Sequence, residues 1–135
     1  MVDFLICGTQ KGGTSALHEY LSEHPDLCLS ATKELHFFDN EELFQQGAPD
    51  YAPCHAAFRQ KMPSQLAGES TPIYMYWEPS PKRIWEYNPR MKLIVLLRNP
   101  IDRAYAHWNM ERSGGRRAFP FGKPSRMRRK ESARG

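Results

Sequence analysis

The chain has 135 residues, 40% of them hydrophobic, which suits one small domain with a core of its own. Its net charge of +4 suggests an anionic partner only until the charge is placed: residues 1–111 carry 10 Lys+Arg against 14 Asp+Glu, and residues 112–135 carry 9 against 1. The folding part therefore has no basic surplus to serve as a specific nucleic-acid surface, and no apolar run approaches the roughly 18 residues of a membrane span.

Val2–Cys7 is a short apolar run of strand-forming residues that ends at Gly8, the pattern of a buried strand. Leu17, Tyr20 and Leu21 then recur at helical spacing from Thr14, with Gly13 or Thr14 as the cap and His24-Pro25 as the stop. Leu27–Ser30 predicts a second strand. The segment Lys33-Glu34-Leu35-His36-Phe37-Phe38-Asp39 mixes charge with aromatics and fits no period, so it is expected to be a loop lining a site, with Phe37 and Phe38 turned into the core. Residues 49–60 are weakly helical, 65–70 predict a strand broken at Thr71-Pro72, and 81–87 a short helix opened by proline.

Lys92–Arg98 is the most apolar run in the chain and predicts a buried strand. Asn99-Pro100 opens a helix through about Arg112 with Ile101, Tyr105 and Trp108 on one face. Trp77, Trp85 and Trp108 lack the spacing of a stacking surface and are expected to be packing residues. From Ser113 the composition turns to Arg, Lys, Pro, Gly and Ser, too poor in apolar residues to order itself. The expected organisation is a domain over 1–112 and a basic, disordered tail over 113–135. Strands alternating with helices predict an α/β domain whose parallel sheet is flanked by helices, with ligands beyond the carboxyl ends of the strands. Both the Gly8 loop and Arg98 fall at such ends.

Met1 leads straight into the first strand without a basic region or cleavage site, so a cytoplasmic setting is expected; a Golgi-lumen setting would need an anchor ahead of Met1. Cys7, Cys28 and Cys54 are an odd number at wide spacings, which fits a reducing compartment. Neither they nor the five scattered histidines make a paired ligand motif, and no metal is expected.

Gly8-Thr9-Gln10-Lys11-Gly12-Gly13-Thr14-Ser15 resembles a phosphate-binding loop, with Gly8 and Gly13 in the glycine places and Ser15 in the hydroxyl place. Its lysine is displaced: Thr14 stands in the usual lysine position and Lys11 sits inside the loop. Such a loop offers successive backbone N–H groups, a helix N-terminus and an ammonium to an anion. A magnesium-dependent triphosphatase would also need an apolar strand ending in Asp; the best strand here ends in Arg98, which suits a second phosphate.

GTQKGGTSAL, KELHFFD, GESTPIY and LIVLLRNPIDRAYAHW, in that order, make residues 2–109 resemble the amino-terminal part of a nucleotide-dependent sulfotransferase. The nearest type is the heparan-sulfate sulfotransferase-like group: the 3-O-sulfotransferases, the sulfotransferase domain of N-deacetylase/N-sulfotransferases, and bacterial relatives. The resemblance implies a P-loop-like α/β domain, incomplete relative to the family, with 3′-phosphoadenosine 5′-phosphosulfate as donor. It further implies a carbohydrate-like acceptor, a hydroxyl or an amine. By the same resemblance Lys11 and the amides of Gly12, Gly13, Thr14 and Ser15 would hold the 5′-phosphosulfate, and Arg98 the 3′-phosphate. Glu34 matches the general base, and His36 and Asp39 match acceptor-binding positions.

Each residue also has a plainer reading. Glu34 can be a solvated carboxylate, His36 a packed histidine, and Arg98 the ion-pair partner of Asp102 or Asp39.

Two departures stand out. Ala106 occupies the place of a serine usual on the helix after the phosphate-binding arginine, and Ser70 the place of a lysine in the 3-O-sulfotransferases. The resemblance ends near 109–112, and Phe119–Gly135 is unlike the family, as a truncated gene or shifted reading frame would produce. The alternatives are a P-loop nucleotide kinase or triphosphatase, and a non-catalytic remnant that binds nucleotide or polyanion.

Overall fold

A computed structural model describes residues 1–58 and 61–113 of the chain. The expected tail, apart from Ser113, and the end of the weakly helical 49–60 stretch lie outside these residues. Four short strands form one parallel sheet in the order β2-β3-β1-β4: β1 (Phe4–Ile6), β2 (Leu27–Leu29), β3 (Leu66–Ser70) and β4 (Lys92–Ile94). In register, Phe4 pairs with Gly68 on one side and Lys92 on the other, and Leu27 pairs with Leu66. The pairing of β1 outlasts the regular strand, because Cys7 N–H donates to Ile94 O (3.0 Å) and Thr9 N–H to Leu96 O (3.0 Å). The start of the loop is thereby tied to the chain beyond β4.

Among the described residues five helices accompany the sheet: α1 (Thr14–Ser22), α2 (Glu41–Phe44), α3 (Ala52–Ala56), α4 (Ser80–Tyr87) and α5 (Pro100–Ser113), with a 3-10 turn at Pro72–Met75. The helix at 41–44 has no counterpart in the sequence-based expectations. Asn40 caps it by accepting from Glu42 N–H, and Glu41 and Glu42 sit in its first turn where the helix dipole favours acids. α1 begins at a glycine rather than a hydroxyl cap: Gly13 holds φ 100°, a conformation open to glycine at little cost, and no side chain caps the helix.

The core lies around β1 and β3. Val2, Leu5 and Ile6 are completely buried, and Phe37, Phe38, Phe58, Tyr74, Cys54 and Ile84 join them. Burying each large apolar side chain contributes about 1.5–3 kcal/mol. Phe37 and Phe38 are in the core as expected, ring edges meeting at 5.4 Å between centroids. Tyr87 closes the base of the sheet, its hydroxyl accepting from Val2 N–H at 2.7 Å.

The prediction for residues 92–98 is corrected. Only Lys92–Ile94 is regular strand, and it is an edge: Leu93 is 56% exposed and Leu97 74%. β4 pairs with β1 on one side, and no described strand covers the other. The same holds for α5, which forms over the expected range but buries none of its residues; Ile101 and Tyr105 stand open. Trp77 and Trp85 are likewise surface residues rather than packing residues. The indole of Trp77 is held by Glu41 at 2.9 Å, whereas Trp108 stacks against Tyr105 and Arg112 of its own helix.

Candidate active site

The loop between β1 and α1 owes its course to two close approaches. A Cβ on Gly8 would lie 2.4 Å from Leu96 N, and one on Gly12 would lie 2.7 Å from Thr9 O, so any larger residue forces the backbone to move. Lys11 then turns through φ 65°, a left-handed conformation costing a non-glycine residue about 1–2 kcal/mol. The chain so bent presents the N-terminus of α1. Among the described residues, no hydrogen bond engages the N–H groups of Gly13, Thr14 or Ser15, the open donors an anion needs. Gly12 differs from expectation: its N–H is spent on Thr9 O at 2.7 Å, closing the turn, and it is removed from the set of anion donors. Thr14 is buried and Ser15 exposed, so Ser15 is the hydroxyl at the surface of the loop.

A cavity of about 350 Å³, within the range of roughly 300–1,000 Å³ usual for small-molecule sites, opens at this helix end. Lys11, Gly13, Thr14 and Ser15 line one side, and Lys33 and Glu34, from the loop after β2, line the other. Residues 20 positions apart in sequence thus share one space. Lys33 Nζ donates to Glu34 Oε1 at 2.7 Å, which gives the cavity a second lysine.

The Glu34 loop is itself bent at unusual angles. Among the described residues, the non-glycine positions with positive φ are Lys11, Glu34 and His36 (65°, 60° and 52°), all three expected site residues. Strained backbone of this kind persists where surrounding structure enforces it, and it concentrates at ligand sites. Here β3 supplies the restraint, Ser70 O accepting from Glu34 N–H at 2.9 Å.

His36 Nδ1 lies 2.8 Å from Asp39 Oδ2, and its Nε2 lies 3.5 Å from Glu34 Oε2. Partial burial opposes the charged imidazolium, but the Asp39 hydrogen bond and the charges of Asp39 and Glu34 outweigh it and raise the His36 pKa above its usual value. His36 is therefore a solvent-facing link between two carboxylates rather than a packed core histidine. His36 and Asp39 do not line the cavity; they adjoin it through Glu34.

Arg98 is exposed, and among the described residues it pairs with neither Asp102 nor Asp39. Its Nη1 donates to Lys11 O at 3.2 Å, which brings its guanidinium to the back of the loop. A larger cavity of about 600 Å³ between α2, α3 and α4 has both of its cations matched, Arg83 by Glu41 at 2.9 Å and Lys82 by Glu86 at 3.8 Å. Among the described residues, no group of three or more His, Cys, Asp or Glu is arranged to hold a metal ion, and no helix is long and apolar enough to cross a membrane.

The residue that sequence reasoning missed is Glu69. It belongs to the GESTPIY segment, and its signal there is a carboxylate set inside a strand between Gly68 and Ser70. It is 2% exposed, and burial, opposed by hydrogen bonds from Thr71 and Tyr74, pushes its pKa up to about 7.

Heparan sulfate glucosamine 3-O-sulfotransferase 5 of Mus musculus is 37% identical over 117 residues, covering 84% of this chain and 32% of the relative. Heparan sulfate glucosamine 3-O-sulfotransferase 6 of Homo sapiens is 40% identical over 108 residues, covering 77% of this chain and 29% of the relative. The chain thus spans about a third of the length of these curated relatives. The crystal structure of a sulfotransferase from Alicyclobacillus acidocaldarius matches the fold with a TM-score of 0.77 at 27% identity, covering 88% of this chain and 53% of that one. The Sulfotransferase domain family matches residues 2–120, from before β1 to beyond α5, and with its parallel sheet and lysine-bearing loop this chain belongs to that family.

Proposed function

We propose that this chain is the donor-binding part of a sulfotransferase that uses 3′-phosphoadenosine 5′-phosphosulfate and acts on a hydroxyl or amine of a carbohydrate-like acceptor. The observation that carries the reading is the shared cavity, in which Lys11 and the open amides of Gly13, Thr14 and Ser15 face Glu34. The chemistry of these groups fits the donor: cations and N–H groups for an anion on one wall, a carboxylate for a proton on the other. The family match over residues 2–120 disfavours the kinase or triphosphatase alternative.

The donor supplies the activated sulfuryl group, whose bond to the phosphate oxygen breaks as its sulfur joins the acceptor. Lys11 and the loop amides hold the 5′ end and stabilise charge on the departing phosphate oxygen, with groups already in place rather than reorganised during the reaction. Arg98, at the back of the same loop, holds the 3′-phosphate. Glu34 takes the proton from the acceptor hydroxyl or amine, and its contact with Lys33 keeps the carboxylate turned into the cavity. His36 and Asp39 adjoin Glu34 on the open side and serve the acceptor.

Titration calorimetry with adenosine 3′,5′-bisphosphate, the donor product, tests the assignment. Each lost contact between a charged group and its hydrogen-bond partner contributes about 1.5–3 kcal/mol, so Lys11→Ala and Arg98→Ala are each expected to weaken binding by about ten- to a hundred-fold. Unchanged affinity in both variants would sink the assignment.

A further inference from the structure

Among the described residues, Glu69 is the one acidic residue that is buried, and no ion pair reaches it. Its Oε1 accepts from Thr71 Oγ1 at 2.6 Å and from Tyr74 Oη at 2.8 Å, while Oε2 is buried without a partner. Tyr74, 1% exposed, is an acceptor on its other side: Phe37 N–H donates to Oη at 3.0 Å and Phe38 N–H at 3.4 Å. One carboxyl group orients a hydroxyl, and that hydroxyl receives the backbone of the segment carrying Glu34, His36 and Asp39. The segment depends on such ties because it forms neither helix nor strand and bends through positive φ at Glu34 and His36. Asp39 adds a second connection: its charge acts on Glu69, and its Oδ1 is likewise buried without a partner.

We propose that Glu69 is a positioning residue of the sulfuryl-transfer site, setting through Tyr74 the backbone course of Phe37 and Phe38 and with it the placement of His36 and Asp39. The role in transfer rests on the function proposed above; the buried relay does not. The groups facing Glu69 are Thr71 and Tyr74 from the chain after β3, Asp39 and His36 from the loop, Cys7 of β1 and Cys54 of α3. None is a permanent cation, and burial dominates in pushing the carboxyl up to about 7, with Asp39 adding to the rise. In its neutral form Glu69 has a donor to offer from Oε2, where the ionised form leaves a buried oxygen without one. Glutamine at this position keeps one acceptor and one donor but cannot ionise, which separates the proton from the shape.

The test follows the backbone amide resonances of Phe37 and Phe38 in the isotope-labelled full chain between about pH 5.5 and 8.5, the window around a carboxyl shifted to neutrality. Both amides are expected to show an inflection near pH 7 in the unaltered protein and none in Glu69→Gln. In Tyr74→Phe the inflection disappears, and hydrogen exchange at both amides rises by about ten-fold or more as their acceptor is lost. Asp39→Asn moves the inflection to lower pH. An inflection that persists in Glu69→Gln belongs to His36 and overturns the proposal, as does a flat response in the unaltered protein. Binding of adenosine 3′,5′-bisphosphate measured on the same samples keeps the two readings apart: its absence overturns the donor site, while the amide titration alone decides the relay.

Discussion

β1 and β4 are neighbours in the sheet and carry similar apolar sequences, yet their side chains meet opposite fates. Leu5 and Ile6 are completely buried, with β3 on one side and β4 on the other, and Leu5 shares a core cluster with Phe37, Phe38 and Tyr74. Leu93 and Leu97, on or just beyond β4, and Ile101 at the start of α5 are 56%, 74% and 79% exposed. The difference lies in what stands beside each strand, and it teaches that an apolar run states what a strand is built to bury, not what it has buried. The candidate site residues divide along the same line. Glu34, whose N–H donates to Ser70 O of β3, and the buried Glu69 lie on the closed side. Arg98 and Ala106 lie on the open side.

Four substitutions break or sharpen that contrast. Leu5→Ala opens a cavity in the closed core and is expected to cost about 2–5 kcal/mol in chemical denaturation; a loss under about 1 kcal/mol would mean that the core is far looser than its burial implies.

Next comes the pH dependence of stability. Glu69 binds its proton more tightly in the folded state, so between the unfolded carboxyl pKa, about 4.5, and the folded one, about 7, the folded chain holds the extra proton. Stability therefore falls as pH rises through that window, by roughly 3 kcal/mol, and Glu69→Gln is expected to flatten the fall. His36, also raised, adds a smaller loss in the same direction above its unfolded value of 6.5, reduced by solvent because its side chain is 52% exposed. A slope that survives Glu69→Gln undiminished would assign it elsewhere.

On the open side, Ala106→Ser supplies the hydroxyl that the family resemblance implies at this place and is expected to tighten binding of adenosine 3′,5′-bisphosphate by up to about ten-fold, close to 1.4 kcal/mol, read by calorimetry. No gain would separate α5 from the donor site. The smallest effect is expected at Leu97→Ser. An exposed side chain contributes little, and stability should change by no more than about 0.5 kcal/mol in the same denaturation experiment. A loss comparable to that of Leu5→Ala would show that β4 is covered in solution.

Much of the site was legible because its signals are local. The glycines at 8, 12 and 13 answer close backbone approach or a left-handed turn, needs that glycine meets at least cost, and they mark the loop in any reading of the chain. Glu34, His36 and Asp39 were legible as a charged, aperiodic segment, though not their geometry; that Gly12 spends its N–H inside the turn depends on how the loop closes on Thr9 O. Glu69 was overlooked because a strand carboxylate reads as a surface residue by default. Its burial is created by Tyr74, Thr71 and the loop before α2, partners brought together only by folding.

The sequence by itself determined the order of the strands and of the helices other than α2, the glycine-rich loop and the identities of its charged groups, since periodicity and glycine placement act within a few residues. Only the tertiary structure decided that Lys11 and Glu34 share a cavity, that Arg98 reaches the back of the loop across 87 positions, and that β4 stands open while β1 is sealed. These depend on parallel pairing between segments far apart in the chain, and side-chain burial is set by the neighbours that such pairing supplies.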